Sequence, residues 1–426
     1  MGLTLAQKII ARAAGRGSVT PGEIVTCQVD LAMMHDSGGP RRIAPMLDRL
    51  GVKVWDPSKI VVIADHYVPA IDSDSAAILD LTRKWVKAAG IERFHDMQGI
   101  CHVVLPERGH LRPGMFAVGG DSHSPTAGAF GCFMFGIGAT EMAGVAATGS
   151  IWLRVPQEHL VVWDGALARG VVAKDMILAM CRAITLSGIK YGVVEFTGPA
   201  IASLSMSERM VLTNMTAELG AQTGIIAPDQ TTVDYLAQVG ASAPDALQWR
   251  SDSDSDYLKR WHFDASALQP QIAAPHSPAN AAPASDHRGV AVHQCYVGAC
   301  TGAKLSDLHM AAEILKGRRV AASTRLLVAP ASTRITAIAA ADGTLAALTE
   351  AGAILLPSGC GACAGLGAGL LADDEVCIST TARNFKGRMG SASSLVYLGS
   401  PYSVAAAAVA GHIVDPREML AERAAA

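Results

Sequence analysis

Aromatic side chains make up only 5% of the 426 residues and charged ones only 17%. Neither sign of charge is in excess, with 35 Lys and Arg against 38 Asp and Glu and a formal net charge of −3. That balance counts against a nucleic-acid-binding protein, which needs a basic excess to neutralise phosphates. Long apolar runs are also missing, although half of the residues are hydrophobic and the mean hydropathy is +0.28. The longest candidate, Ser124 to Thr140, is broken by four glycines and meets Glu141. The run around Val404 to Ala410 is too short to span a bilayer, so no membrane association is expected. The hydropathy comes from Ala and Gly, which points to tight backbone packing. No basic-then-apolar leader opens the chain, and Ala6 stands where a myristoylation signal would have Ser or Thr. Nine cysteines are an odd number in a chain too large to need disulfide staples. A reducing cytoplasm is therefore expected, where thiols serve burial, metal binding or catalysis. No tandem repeat is evident, and Gly131, Gly136 and Gly138 lack the G-x-G-x-x-G spacing of a dinucleotide loop.

At about 150 residues per domain, the length suggests two or three domains. Short β-branched runs alternate with Ala- and Leu-rich stretches of helical length. Lys59–Ala64, His159–Trp163 and Arg325–Ala329 read as strands, and the alternation predicts an α/β fold with mostly parallel sheets. Ser75 to Gly90 reads as a crossover helix, with Leu79, Leu81 and Trp85 inward and Asp80 and Lys84 outward. One composition break stands out. Ser251 to Asp256 alternates Ser and Asp, and residues 273–286 are rich in Ala, Pro and Ser. Residues 241–288 are accordingly expected to be a loop-rich connection within a first part, 1–288, followed by a second α/β part, 289–426.

The strongest chemical signal is a set of cysteines bordered by glycine. Cys300 lies in Gly298-Ala299-Cys300-Thr301-Gly302, and Cys360 and Cys363 lie in Gly359-Cys360-Gly361-Ala362-Cys363. All three fall at expected strand-to-loop junctions, where α/β folds place ligands. Four readings fit the spacing. A zinc site would want a fourth ligand, and only one CxxC is present. A thioredoxin-like pair would leave Cys300 unused. Three ligands to an iron–sulfur cluster would leave one iron open as a Lewis acid. Simple burial of thiols in tight turns is the fourth.

Four histidines cluster with Asp and Gly at expected strand ends: His35-Asp36, Asp65-His66, His102, and Asp121-Ser122-His123-Ser124-Pro125. The remaining nine of the 13 are read as structural. Adjacent Asp and His side chains point to opposite faces along a strand, so carboxylate–imidazole pairs are expected across loops. Several such pairs around one pocket would suit proton delivery to a leaving hydroxyl. Arg383 and Arg388, five apart around Gly387, form a fork for substrate carboxylates. Asn214 and Glu218, four apart, read as one face of a helix.

Together these motifs resemble the aconitase superfamily, in particular large subunits of the 3-isopropylmalate dehydratase and homoaconitase type. The resemblance runs from Leu3-Thr4-Leu5-Ala6-Gln7-Lys8-Ile9 to the C-terminal region in the same motif order. The Asp121–Pro125 box, the Cys300…Cys360-x-x-Cys363 set and the Arg383–Arg388 box are specific when taken jointly. The resemblance implies three α/β domains with mostly parallel sheets around a central cluster cleft. It implies one [4Fe–4S] cluster per subunit on Cys300, Cys360 and Cys363, with one iron open to substrate. His66 with Asp65 matches the acid that protonates the departing hydroxyl. Asp121 and His123 match the active-site box, with His102 and Glu218 as partners. His35, Asp36, Ser122 and Asn214 match substrate-contacting or supporting positions, and Arg383 and Arg388 the carboxylate-binding arginines. Two positions depart from the pattern: Gly302 replaces the usual Asn after Cys-Thr, and Ala382 replaces a polar residue before the arginine box.

The implied activity is reversible dehydration and rehydration of a branched 2-hydroxy di- or tricarboxylate. Interconversion of 3- and 2-isopropylmalate in leucine synthesis is the first expectation, with homoaconitase or 2,3-dimethylmalate-type chemistry as the alternative. The family's fourth, swivelling domain, which carries the serine base, has no counterpart before Ala426, so a separate small subunit is expected to supply it. Two other classes stay in view: an iron-responsive RNA-binding role for cluster-free protein, and electron transfer. The balanced charge weighs against the first and the three-ligand set against the second.

Overall fold

The computed structural model describes residues 2–425. They group into two compact units. The first comprises Met1–Asp96, Val104–Asp164 and Ser187–Phe263, the second Met97–Val103, Gly165–Leu186 and Asp264–Ala426.

The first unit holds a five-stranded parallel sheet in the order Phe94–Asp96, Ile60–Ala64, Leu31–His35, Phe116–Gly119, Phe133–Gly136. Its three middle strands are buried at every position, as expected where helices cover both faces. A second sheet, ordered Thr223–Ile226, Val193–Thr197, Glu158–Asp164, Lys259–Asp264, lies in the same unit. Helix Leu5–Ala13 starts at a capping box between Thr4 and Gln7 and buries Leu5, Ile9 and Ile10 against the sheet core.

The runs beginning at residues 59, 159 and 325 are strands, as expected. The crossover helix spans Ser73–Ala88, capped by Asp72, whose carboxylate accepts from the Ser75 N–H at 2.7 Å. It buries Ser75, Leu79, Thr82 and Val86, while Asp80 and Lys84 face outward. Leu81 was expected inward but is 41% exposed. At 100° per residue it lies about 200° round the helix from Leu79, and the smaller Thr82 takes the buried position.

Residues 241–288 are more ordered than their composition suggests. Ser251, Asp252 and Asp254 accept from the backbone N–H groups of Leu5 (2.7 Å), Leu3 (2.8 Å) and Gly2 (3.0 Å), so the polar repeat anchors the N-terminal segment. Further on, Gln271–Ala273 and Ala281–Pro283 pair antiparallel. Three-residue strands are too short to show a period of two, and only the pairing reveals them.

The second unit is built on a seven-stranded sheet. Five parallel strands run in the order Leu395–Leu398, Val376–Ser379, Gln294–Val297, Arg325–Val328, Ile354–Leu355. The antiparallel pair just described continues the sheet beyond Leu395–Leu398. Among the described residues, no helix is long and apolar enough to cross a membrane.

Candidate active-site residues

In the first unit, Ile60–Ala64, Leu31–His35 and Phe116–Gly119 are parallel neighbours. Their carboxyl ends therefore bring Asp65-His66, His35-Asp36 and the Asp121 box to one edge of the sheet. Asp36 is fully buried and accepts from three successive backbone N–H groups, those of Asp65 (3.1 Å), His66 (3.0 Å) and Tyr67 (2.8 Å). It fixes the loop that presents His66. There Asp65 Oδ1 lies 2.7 Å from His66 Nδ1. Adjacent residues pair here, against the expectation drawn from strand geometry, because both follow the last strand residue, Ala64, and no longer alternate.

Burial opposes a charge on His66, but Asp65, followed by Asp121 and Asp36, outweighs it and raises the imidazole to about 9. His35 moves the other way, lowered by burial and then by the neighbouring His66. Its hydrogen bonds agree: Nδ1 accepts from the Gly38 N–H at 3.2 Å, which leaves Nε2 to donate to the Gly120 carbonyl at 2.9 Å. Asp121 Oδ2 lies 4.0 Å from the same Nε2.

Within the Asp121 box, Asp121 Oδ1 accepts from the His123 N–H at 2.7 Å, and His123 Nε2 meets Glu218 Oε1 at 3.1 Å. Ser122 is exposed. Asn214 and Glu218 do not share a helical face as expected. The α-helix ends at Asn214 and continues as the 3-10 turn Met215–Leu219, closed by Gly220 in the left-handed region. Asn214 Nδ2 donates to Thr126 Oγ1 at 2.8 Å, and both residues are buried. Donor atoms of His35, Asp36, Asp65 and His66 lie within 4.8 Å of one another. Each residue also makes hydrogen bonds within the protein, which suits a proton-handling network better than an ion site.

In the second unit, the carboxyl ends of neighbouring strands carry the cysteines and the arginine box. Cys300 follows Gln294–Val297, Cys360 follows Ile354–Leu355, and residues 380–388 follow Val376–Ser379. Cys300 and Cys363 are buried and Cys360 is half-buried. Cys360 caps the turn Gly361–Ala364, which holds Cys363 and which Gly365 ends with a left-handed φ of 73°. The Tyr296 hydroxyl lies beside Gly298 and Gly361, two of the glycines that border these cysteines. Burial, then the thiols of Cys363, Cys360, Cys377 and Cys300, pushes this phenol far above the usual range. Gly298 permits the approach, since a Cβ there would sit 2.5 Å from the Tyr296 hydroxyl. Three sulfur donors on glycine-bordered turns after strands of one sheet form a soft donor set that fits an iron–sulfur cluster.

Thr380, absent from the sequence-based candidates, knits this region together. Its Oγ1 accepts from the Gly298 N–H (2.9 Å) and donates to the Gly298 carbonyl (2.8 Å), while its own carbonyl accepts from Thr301 Oγ1 (2.8 Å). A Cβ at Gly302 would lie 2.1 Å from Thr380 Cβ. Thr380 thus occupies the space into which a side chain at position 302 would project.

Asn384, fully buried, anchors the arginine box by donating to the carbonyls of Ala274 (2.8 Å) and Val396 (3.0 Å). Arg388 follows a turn at Gly387, and its buried Nε has no partner among the described residues. Arg383 is half-buried and Ala382 buried. His102 is buried in helix Cys101–Glu107 and falls in the second unit.

The profile of the aconitase family (aconitate hydratase) matches residues 7–289 and 281–411. The chain belongs to the aconitase family. It is 44% identical to the 3-isopropylmalate dehydratase large subunit 1 of Methanopyrus kandleri, over 99% of this chain and 100% of that one. It is also 44% identical to a probable methanogen homoaconitase large subunit of Methanothermobacter thermautotrophicus, over 98% of each chain. A solved structure, the holo-form of aconitase X from Thermococcus kodakaraensis, aligns over 84% of each chain with a TM-score of 0.49 and 13% identity. The resemblance and the α/β architecture of mostly parallel sheets stand.

Proposed function

We propose that this chain is the large subunit of a hydro-lyase that moves a hydroxyl between adjacent carbons of a branched 2-hydroxy acid, with 3- and 2-isopropylmalate as the first substrate pair. The observation that carries the reading is His66, held protonated by Asp65 on a loop that Asp36 fixes through three amides. An imidazolium kept charged near neutral pH is an acid available to a leaving hydroxyl. Cys300, Cys360 and Cys363 would hold a [4Fe–4S] cluster, one per subunit, which when bound supplies Lewis acidity through one open iron. The guanidinium groups of Arg388 and Arg383 grip substrate carboxylates. His123, oriented by Glu218, places a further hydrogen bond on the substrate, with His35, whose ring nitrogens are held by Gly38 and Gly120, and His102, Asp121, Ser122 and Asn214 as contacts or supports.

The α-proton is taken by a serine on a separate small subunit. Relatives named as large subunits, matched over 98 to 100% of their length, support that partner. The enzyme is cytoplasmic and serves leucine synthesis. Homoaconitase chemistry is the second reading, favoured by a relative of that name at the same 44% identity, and 2,3-dimethylmalate-type acids belong to the same range. The test is anaerobic reconstitution of the chain with a small subunit, followed by ultraviolet absorbance of the unsaturated acid across isopropylmalate, homocitrate and dimethylmalate. Turnover of isopropylmalate is expected. A fully loaded enzyme that dehydrates none of these acids would end the hydro-lyase reading.

A further inference from the structure

Lys174 is a buried cation with no carboxylate at ion-pair distance among the described residues. It lies in the first turn of helix Ala173–Ile184 and is 1% exposed. Its Nζ donates to two backbone carbonyls, of Thr380 at 2.9 Å and Thr381 at 2.6 Å, and it makes no ion pair among the described residues. The nearby carboxylates are committed elsewhere. Asp175 accepts from the backbone N–H groups of Val172 (2.8 Å) and Gln271 (2.7 Å), and Asp307 pairs with Lys304 at 2.8 Å. The helix N-terminus adds positive potential of its own, so the location disfavours an ammonium twice over. A charge buried in this way is costly unless an anion nearby offsets it. The groups that most favour the ammonium are the sulfurs of Cys300 and then Cys363, although burial still holds its pKa down at about 8.

We propose that Lys174 is the counter-charge and positioning residue of the cysteine set: its ammonium offsets the negative charge of thiolates carrying an iron–sulfur cluster and ties the Cys300 loop to the arginine box. The tie runs through Thr380, whose carbonyl Lys174 and Thr301 share and whose hydroxyl grips Gly298. Thr381, the second acceptor, lies two residues before Arg383. One ammonium thereby sets both the electrostatics of the sulfurs and the placement of a carboxylate-binding arginine. This rests on the reading of Cys300, Cys360 and Cys363 as cluster ligands.

Three variants separate charge from hydrogen bonding. Lys174→Arg keeps the charge, Lys174→Gln keeps a donor to the carbonyls without charge, and Lys174→Met loses both. Each is purified anaerobically and reconstituted, with iron and sulfide content, cluster midpoint potential and electron paramagnetic resonance as readouts. The midpoint should fall in the Gln and Met variants and recover in Arg, because loss of a nearby cation disfavours added negative charge. Iron loss in air should be several-fold faster in Gln and Met than in wild type. Equal potentials and equal iron retention in wild type and Lys174→Gln would overturn the counter-charge, and that comparison stands even if Lys174→Met does not fold. A wild-type chain that takes up no cluster at all would instead overturn the ligand reading beneath it.

Discussion

The imidazoles of His35 and His66 stack with ring centroids 4.1 Å apart and planes inclined by 17°. Two imidazolium ions at that distance would repel, and the surroundings divide the roles. Asp65 holds His66 charged, whereas burial and His66 itself keep His35 neutral.

Asp65→Asn removes the main support for the charge on His66. Activity that needs the protonated imidazole should fall about 100-fold at pH 8, and its alkaline limb should move from near 9 to below the ordinary histidine value near 6.5. The same pair contributes to stability. Because the folded-state value of His66 is raised, that contribution is complete below the unfolded value and disappears as pH rises through about 9. Denaturation of wild type and variant at pH 6 and pH 10 should therefore show a gap of up to about 3 kcal/mol at the lower pH that closes at the higher. A gap independent of pH would disprove the pairing.

Arg388→Lys keeps the charge and loses the planar guanidinium fork suited to a carboxylate. KM for the hydroxy acid should rise by about 10- to 100-fold, the worth of a charged hydrogen bond, with a smaller change in kcat. Steady-state kinetics with the small subunit present would check it; an unchanged KM would mean that Arg388 does not hold the carboxylate.

Gly302 and Thr380 compete for one space, so their substitutions should couple. Gly302→Ala forces its Cβ onto that of Thr380 and should cost about 1–3 kcal/mol. With Thr380→Gly in the background, the added cost of the alanine should largely vanish. A double-mutant cycle in denaturant reads the coupling, and strict additivity would contradict the overlap.

Glu158 is buried, accepts from the Thr4 hydroxyl, and leaves Oε2 without a partner among the described residues. Burial, opposed by Thr4 and reinforced by Glu195, raises its carboxyl to about 8. An acid whose folded value exceeds its unfolded value loses stability as pH climbs between the two. Glu158→Gln should thus gain on wild type from about pH 4.5 upward and level off above about 8. Melting curves across that range would reveal the trend, and a constant offset would refute it.

Local patterns in the sequence carried much of this protein. β-branched runs announced the strands at residues 60, 158 and 325, and glycine-bordered Cys, Asp-His and Arg boxes announced the chemistry. Each signal is a property of neighbouring residues, and a family resemblance could be built from their order. The sequence also misled where position in space overrode spacing along the chain. Asp65 pairs with its own neighbour because the strand has already ended, and Leu81 lies outside because Thr82 holds the buried face. Asn214 and Glu218 part because the helix tightens into a 3-10 turn.

What tertiary structure alone decided is who meets whom across long separations. Asp36 serves a loop thirty residues away, Thr380 fills the space beside Gly302, and Lys174 donates to carbonyls more than two hundred residues on. No composition or periodicity encodes such contacts. They arise because parallel strands bring distant segments to a common edge, where a buried charge or donor must find whichever partner the packing supplies.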